Sequence, residues 1–203
     1  MFLIPASAMR GTNPRGYHRE NFTVGNGPSC ASNASASFGA AGTRRLVLCG
    51  ATAGDSGRSP SSMYLGDGFT SGFHLTDDGL ETLAMGSKEQ YSLTTGTASY
   101  CCNAGTGQSM YTLYALYDLV DMTAPHDTQL ATSGTLNINV PENGIIVFCG
   151  YGAPTSASAG LEITHTHSGF YYSGFGSGLA LEAAKTITIT GSSMNLLFAT
   201  SWG

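Results

Sequence analysis

The stretch from Asn143 to Gly152 reads N-G-I-I-V-F-C-G-Y-G, an uncharged apolar run closed by glycines. It is far shorter than the roughly 20 apolar residues that cross a membrane. It is also too rich in Ile, Val and Phe for a surface loop. The pattern predicts a strand buried on both faces. Two stretches echo it. Residues 45–54 read R-L-V-L-C-G-A-T-A-G, and residues 195–203 read N-L-L-F-A-T-S-W-G. In each, apolar residues lead into a small residue. The three are expected to form the spine of one core.

Around this spine the apolar positions recur with period two. Leu136, Ile138 and Val140 alternate with Asn137 and Asn139, and residues 185–190 read K-T-I-T-I-T. Both are half-buried strand patterns. Leu161, Ile163, His165 and His167 are expected to share one strand face. Residues 108–120 place tyrosines at 111, 114 and 117, near helical spacing, but Tyr and Thr favour a strand. Shorter strands are expected at 62–65 and 72–75. The punctuation predicts turns at Pro141–Gly144 and at 191–193, a polar loop over 121–134, and a glycine/aromatic loop over 169–178. About ten short strands without a βαβ rhythm predict an all-β fold, an antiparallel sandwich of jelly-roll or Ig-like type. Residues 1–30, broken by Pro5, Pro14, Pro28 and several glycines, predict an extended N-terminal arm. Residues 31–203 then form the sandwich domain.

Composition sharpens this picture. The chain has 203 residues, enough for one all-β domain with a sizeable core. Only 10% are charged, well below the usual share of about a quarter. Such a chain suits strands packed on each other or on neighbouring subunits. The net charge of −5 is unevenly spread. Residues 1–45 hold Arg10, Arg15, Arg19, Arg44 and Arg45 against Glu20 alone, a balance of +4. The remainder holds three basic residues against twelve acids, a balance of −9. A basic leading segment on an acidic body predicts docking on an acidic surface through these arginines. They are too few and too scattered to favour nucleic acid. A solvated edge is the plain alternative.

The five cysteines show no C-x-x-C pair or zinc spacing, and their number is odd. Cys49 and Cys149 sit in apolar runs, where a thiol behaves as a small hydrophobe. Assembly in a reducing cytoplasm is expected. The opening Met1-Phe2-Leu3-Ile4-Pro5 lacks the basic flank of a signal peptide.

Candidate chemistry is sparse. Gly54-Asp55-Ser56-Gly57 resembles a serine-nucleophile loop, but only His18 and Glu20 lie upstream to complete a triad, and a turn explains the residues better. His165 and His167, at i and i+2, project to one face and supply two imidazoles. A three-fold axis would gather six around a metal, whereas a plain surface or subunit-contact pair needs nothing more. Asp67, Asp77 and Asp78 lack the ligand ladder of a calcium loop. Phe170, Tyr171, Tyr172 and Phe175 would offer exposed rings for stacking on a glycan, unless the loop folds onto its own core. No cofactor is implied and no enzyme is expected, hydrolysis being the last alternative.

With Arg44 to Ala51, the later S-M-Y-L-G-D-G at 62–68 and the segment from Tyr111 to Val120 in view, the chain resembles small β-sandwich structural proteins of tailed bacteriophages. The resemblance spans roughly residues 40–203 and lies in strand order and texture. It implies a virion component: a head decoration protein, head fibre or tail accessory protein. The implied partners are other virion proteins, with a homo-oligomer, a trimer above all, and assembly into the virion in the host cytoplasm. The family lends no catalytic residues. Host-surface glycan is the alternative partner, and no membrane is involved.

Overall fold

A computed structural model describes residues 17–24, 34–37, 45–54, 60–65, 72–77, 81–90, 95–102, 109–117, 119–167 and 171–203. Side chains are described for Tyr114, Leu116, Tyr117, 119–166 and 171–203. Fourteen strands are found among them: β1 (Tyr17–Val24), β2 (Ala34–Ser37), β3 (Arg45–Gly54), β4 (Pro60–Leu65), β5 (Gly72–Asp77), β6 (Glu81–Gln90), β7 (Thr95–Cys102), β8 (Ser109–Tyr117), β9 (Asp127–Ala131), β10 (Thr135–Val140), β11 (Gly144–Ala157), β12 (Glu162–His167), β13 (Tyr171–Leu179) and β14 (Glu182–Trp202). Every pairing is antiparallel. The all-β expectation therefore holds, and the ambiguous tyrosine segment is a strand.

The strands form three sheets. One runs β1-β8-β3-β6-β5, a small one runs β2-β7-β4, and the third runs β10-β14-β11-β13-β12 with β9 also on β14. In the third sheet β14 is the organising strand. One of its edges carries β11. The other carries β10 along residues 182–188 and β9 along residues 197–201.

The central run behaves as its composition requires. Ile145, Val147 and Cys149 enter one core cluster, with Leu196, Phe198, Trp202 and Phe175. Ile146 and Phe148 enter another on the opposite face, with Leu136, Ile138, Val140, Ile187, Ile189 and Leu197. Both faces of β11 are thus buried. Each such Leu, Ile or Phe side chain contributes about 1.5–3 kcal/mol over leaving it in water. The first sheet meets this core through β8, whose Tyr114 and Leu116 join the first cluster. β10 alternates exposed and buried residues from Thr135 to Val140, as its sequence predicts.

Several expected boundaries shift. Within the segment expected as an arm, residues 17–24 form β1 and pair along β8, with Arg19 opposite Tyr114. The polar stretch 121–134 contains β9, which carries no alternating apolar residues to announce it. Gly191-Ser192-Ser193 does not reverse the chain. β14 runs through it as one strand of 21 residues. Ser193 takes a left-handed conformation at φ 53°, and β11 shifts register alongside, so the chain kinks without turning.

The supposed glycine/aromatic loop is β13. Its glycines lie where neighbouring groups come closest. A Cβ on Gly174 would collide with the Phe148 ring and the Glu162 carbonyl. Across the ladder, a Cβ on Gly150 would collide with the Tyr172 ring and hydroxyl. Aromatic and glycine therefore face each other in two consecutive same-face pairs, Phe148 with Gly174 and Gly150 with Tyr172. The glycines make room for rings packed flat over the sheet.

Candidate partner-facing site

The expected ligand-stacking rings are core residues. Tyr171 and Phe175 are 5% and 6% exposed, and Tyr172 is fully buried. Tyr172 donates its hydroxyl to the Leu196 carbonyl at 3.1 Å. Burial holds its ionisation far above the ordinary phenol range, and neighbouring Cys149 adds to this. Tyr171 packs edge-on against Tyr151, with centroids 5.4 Å apart. These rings are spent on packing, which corrects the exposed-loop expectation. Phe170 lies outside the described residues.

His165 and His167 lie on β12, opposite Ser173 and Tyr171. A bulge between Ile163 and His165 changes their expected grouping. Ile163 packs on the second cluster, so it does not share a face with the histidines. Thr164, the extra residue, meets the Tyr114 hydroxyl at 2.9 Å and donates to the Ser173 carbonyl at 3.3 Å. That contact ties β12 to β8 and replaces the uniform strand face with a structural link. The His167 side chain is outside the described set. Among the described residues no three His, Cys, Asp or Glu side chains gather to hold a metal.

Of the docking arginines, Arg45 opens β3 opposite Tyr117 and Gln90, while Arg10, Arg15 and Arg44 lie outside the described residues. The same holds for Asp55, Ser56 and Gly57 of the nucleophile-like motif, and for Asp67 and Asp78.

What the sequence reading missed is a cleft at one end of the third sheet. It has a volume of about 310 Å³ and is lined by Val120, Asp121, Ala124, Pro125, His126, Pro141, Glu142 and Gly203. Three local features build it. The Val120 amide donates to the Gly203 carbonyl at 2.6 Å, fastening the chain after β8 to the end of β14. Asp121 Oδ1 accepts from the Thr123 amide at 2.7 Å and the Thr123 hydroxyl at 2.6 Å, curling residues 121–123 into an Asx turn. The His126 amide then donates to the Ser201 carbonyl at 2.8 Å, closing the loop onto the sheet. Opposite, the β10–β11 turn projects Pro141 and Glu142, with Asn143 left-handed at φ 53°.

The cleft lining combines apolar Val120, Ala124, Pro125 and Pro141 with the acids Asp121 and Glu142. Val120, on its wall, is 60% exposed. Leu181, 71% exposed, stands at the same end, since Val140 pairs with Glu182 and Gly144 with Leu179. Residues 119–203 contain one lysine, Lys185, and its ammonium is 2.9 Å from Glu182. The described lining offers two carboxylates and one imidazole beside apolar side chains. Such a surface is complementary to an apolar, positively charged chain. The sequence carries a signal for it: Leu119-Val120, at the end of the strand expected over 108–120, runs into Asp121 and an Ala-Pro pair at the start of the polar stretch 121–134. Comparison with protein-family models, curated proteins and solved structures finds no match.

Proposed function

We propose that this chain is a non-enzymatic structural component of a bacteriophage virion. Its body is an antiparallel β-sandwich of jelly-roll or Ig-like type, the β8 face of the first sheet covering the third. Its basic leading segment docks on a capsid or tail lattice, and the acidic body faces outward. The protein acts as a homo-oligomer, a trimer above all, in the role of decoration protein, head fibre or tail accessory protein.

The observation that carries this reading is the separation of charge: +4 over residues 1–45 against −9 over the rest. The basic leading segment is steered toward an acidic lattice, while the acidic body is repelled from that lattice and so faces outward. Burial of Tyr171, Tyr172 and Phe175 favours this reading over glycan capture through the same rings. The test is mass spectrometry of purified particles of the phage that carries the gene. The protein is expected in them at fixed copy number, hundreds for a head lattice and a few for a tail. Its complete absence from particles would overturn the reading.

A further inference from the structure

The cleft at residues 120–126 and the start of β1 lie at the same end of the molecule. Tyr17, the first residue of β1, is opposite Leu116 on β8, and β8 runs on through Leu119 to Val120 on the cleft wall. Because β1 and β8 are antiparallel, the chain enters β1 from the cleft side. Sixteen residues precede Tyr17 in the sequence, and a chain of that length can span about 50 Å when extended, enough to reach across a cleft this size.

The chemistry of the two is complementary. Residues 1–16 carry the apolar run Phe2-Leu3-Ile4-Pro5, two arginines and no acid. The cleft presents Val120, Ala124, Pro125 and Pro141 with Asp121 and Glu142. An extended, proline-containing peptide loses less conformational freedom on docking than a flexible one.

We infer that residues 1–16 dock into the cleft of their own chain, the apolar run against Val120 and Pro125 and an arginine beside Glu142. This rests on the reading of the basic leading segment as a docking segment, and names where its part ahead of β1 sits before a lattice takes it. Tethering gives the home site a high effective concentration, so weak contacts suffice to hold the segment and a multivalent lattice can still displace it.

The test is limited trypsin digestion of the purified full chain, following cleavage after Arg10 and Arg15 by mass spectrometry. Glu142→Lys is expected to speed cleavage about two- to fivefold, the range of one exposed ion pair. Val120→Asp is expected to speed it about tenfold by removing the apolar contact. Leu181→Asp, exposed at the same end but outside the cleft, is expected to leave the rate unchanged. Circular dichroism checks that each variant keeps its strands. Protection is expected to be the same over a hundredfold dilution of protein. Equal cleavage of wild type and both cleft variants would overturn the inference. So would protection that fades on dilution, since the occupant would then be a second copy. The assay contains no particles, so its failure leaves the virion reading standing.

Discussion

Asp127 Oδ2 accepts the backbone N–H of Asn139 at 2.7 Å, joining β9 to β10 where β10 is bulged. The same carboxylate holds the Thr128 amide at 2.7 Å and the Gln129 side chain at 2.9 Å through Oδ1. Asn139 is bound on every side. Its carbonyl accepts the Ser201 hydroxyl at 2.7 Å, and its Oδ1 accepts the Ala184 amide at 3.0 Å. Ala184 is itself left-handed at φ 52°. The pair therefore gathers β9, β10 and both ends of β14. Burial alone would raise the Asp127 pKa. The hydrogen bonds from Asn139, Gln129 and Thr128 outweigh it and hold the carboxyl below its ordinary value of 3.8.

A depressed carboxyl pKa contributes stability that is present above the unfolded value and disappears as pH falls through the folded one. Stability should therefore decline below about pH 4. Asp127→Asn should flatten that decline and cost about 1 kcal/mol at neutral pH. Urea unfolding of both proteins at pH 3 and pH 7 measures this. An identical acid slope in the two would show that Asp127 is not the group responsible.

Gly150 is required by the Tyr172 ring lying over it. Gly150→Ala should cost about 1–3 kcal/mol, the usual penalty for overfilling a packed core. Part of that cost should vanish in a Tyr172→Ala background, the clash with the Leu196 carbonyl at 2.5 Å remaining. Denaturant unfolding of the four proteins in this double-mutant cycle gives the coupling directly. Additive costs would mean that the ring does not set the requirement.

Tyr172 should also set an alkaline limit. Its folded pKa lies above the unfolded value near 10, so the folded state keeps a proton that the unfolded state releases, and stability falls as pH rises past 10. Tyr172→Phe should lose about 1 kcal/mol at neutral pH, from the hydrogen bond to Leu196, and weaken the alkaline decline. Thermal melts between pH 8 and pH 11 test both halves.

If the aromatic run serves packing, Tyr172→Ala should cost about 3–5 kcal/mol, as large-to-small changes at buried aromatics do. A glycan array probed with wild type and with the milder Tyr172→Phe should give the same pattern. A melting temperature untouched by Tyr172→Ala would restore these rings as a binding surface.

These residues also show what could be read in the chain before its folding. β10 and β11 were legible because their burial follows directly from side-chain alternation or its absence: Ile138 inward and Asn139 outward, Ile145 to Cys149 inward on both faces. β13 was not. Gly174 and Gly176 look like loop punctuation until Phe148 and the chain at 160–162 are placed against them. The bulge at Thr164 leaves no local mark, since any residue can occupy it, and it moved Ile163 off the histidine face. Gly191-Ser192-Ser193 has turn chemistry, yet the long ladder with β11 carries the strand across. The cleft combines Val120, Glu142 and Gly203 from three distant segments, and only the paths of β8, β10 and β14 bring them together.

The central claim, that the basic leading segment anchors an acidic β body on a virion through its part ahead of β1, which carries Arg10 and Arg15, is tested most directly by deleting residues 1–16. Truncated and full-length chains are expressed side by side during phage assembly, and their copy numbers in purified particles are compared. The truncated chain should keep its β-sheet circular dichroism and be missing from particles that carry the full-length protein. A folded truncation found at full copy number would contradict the account.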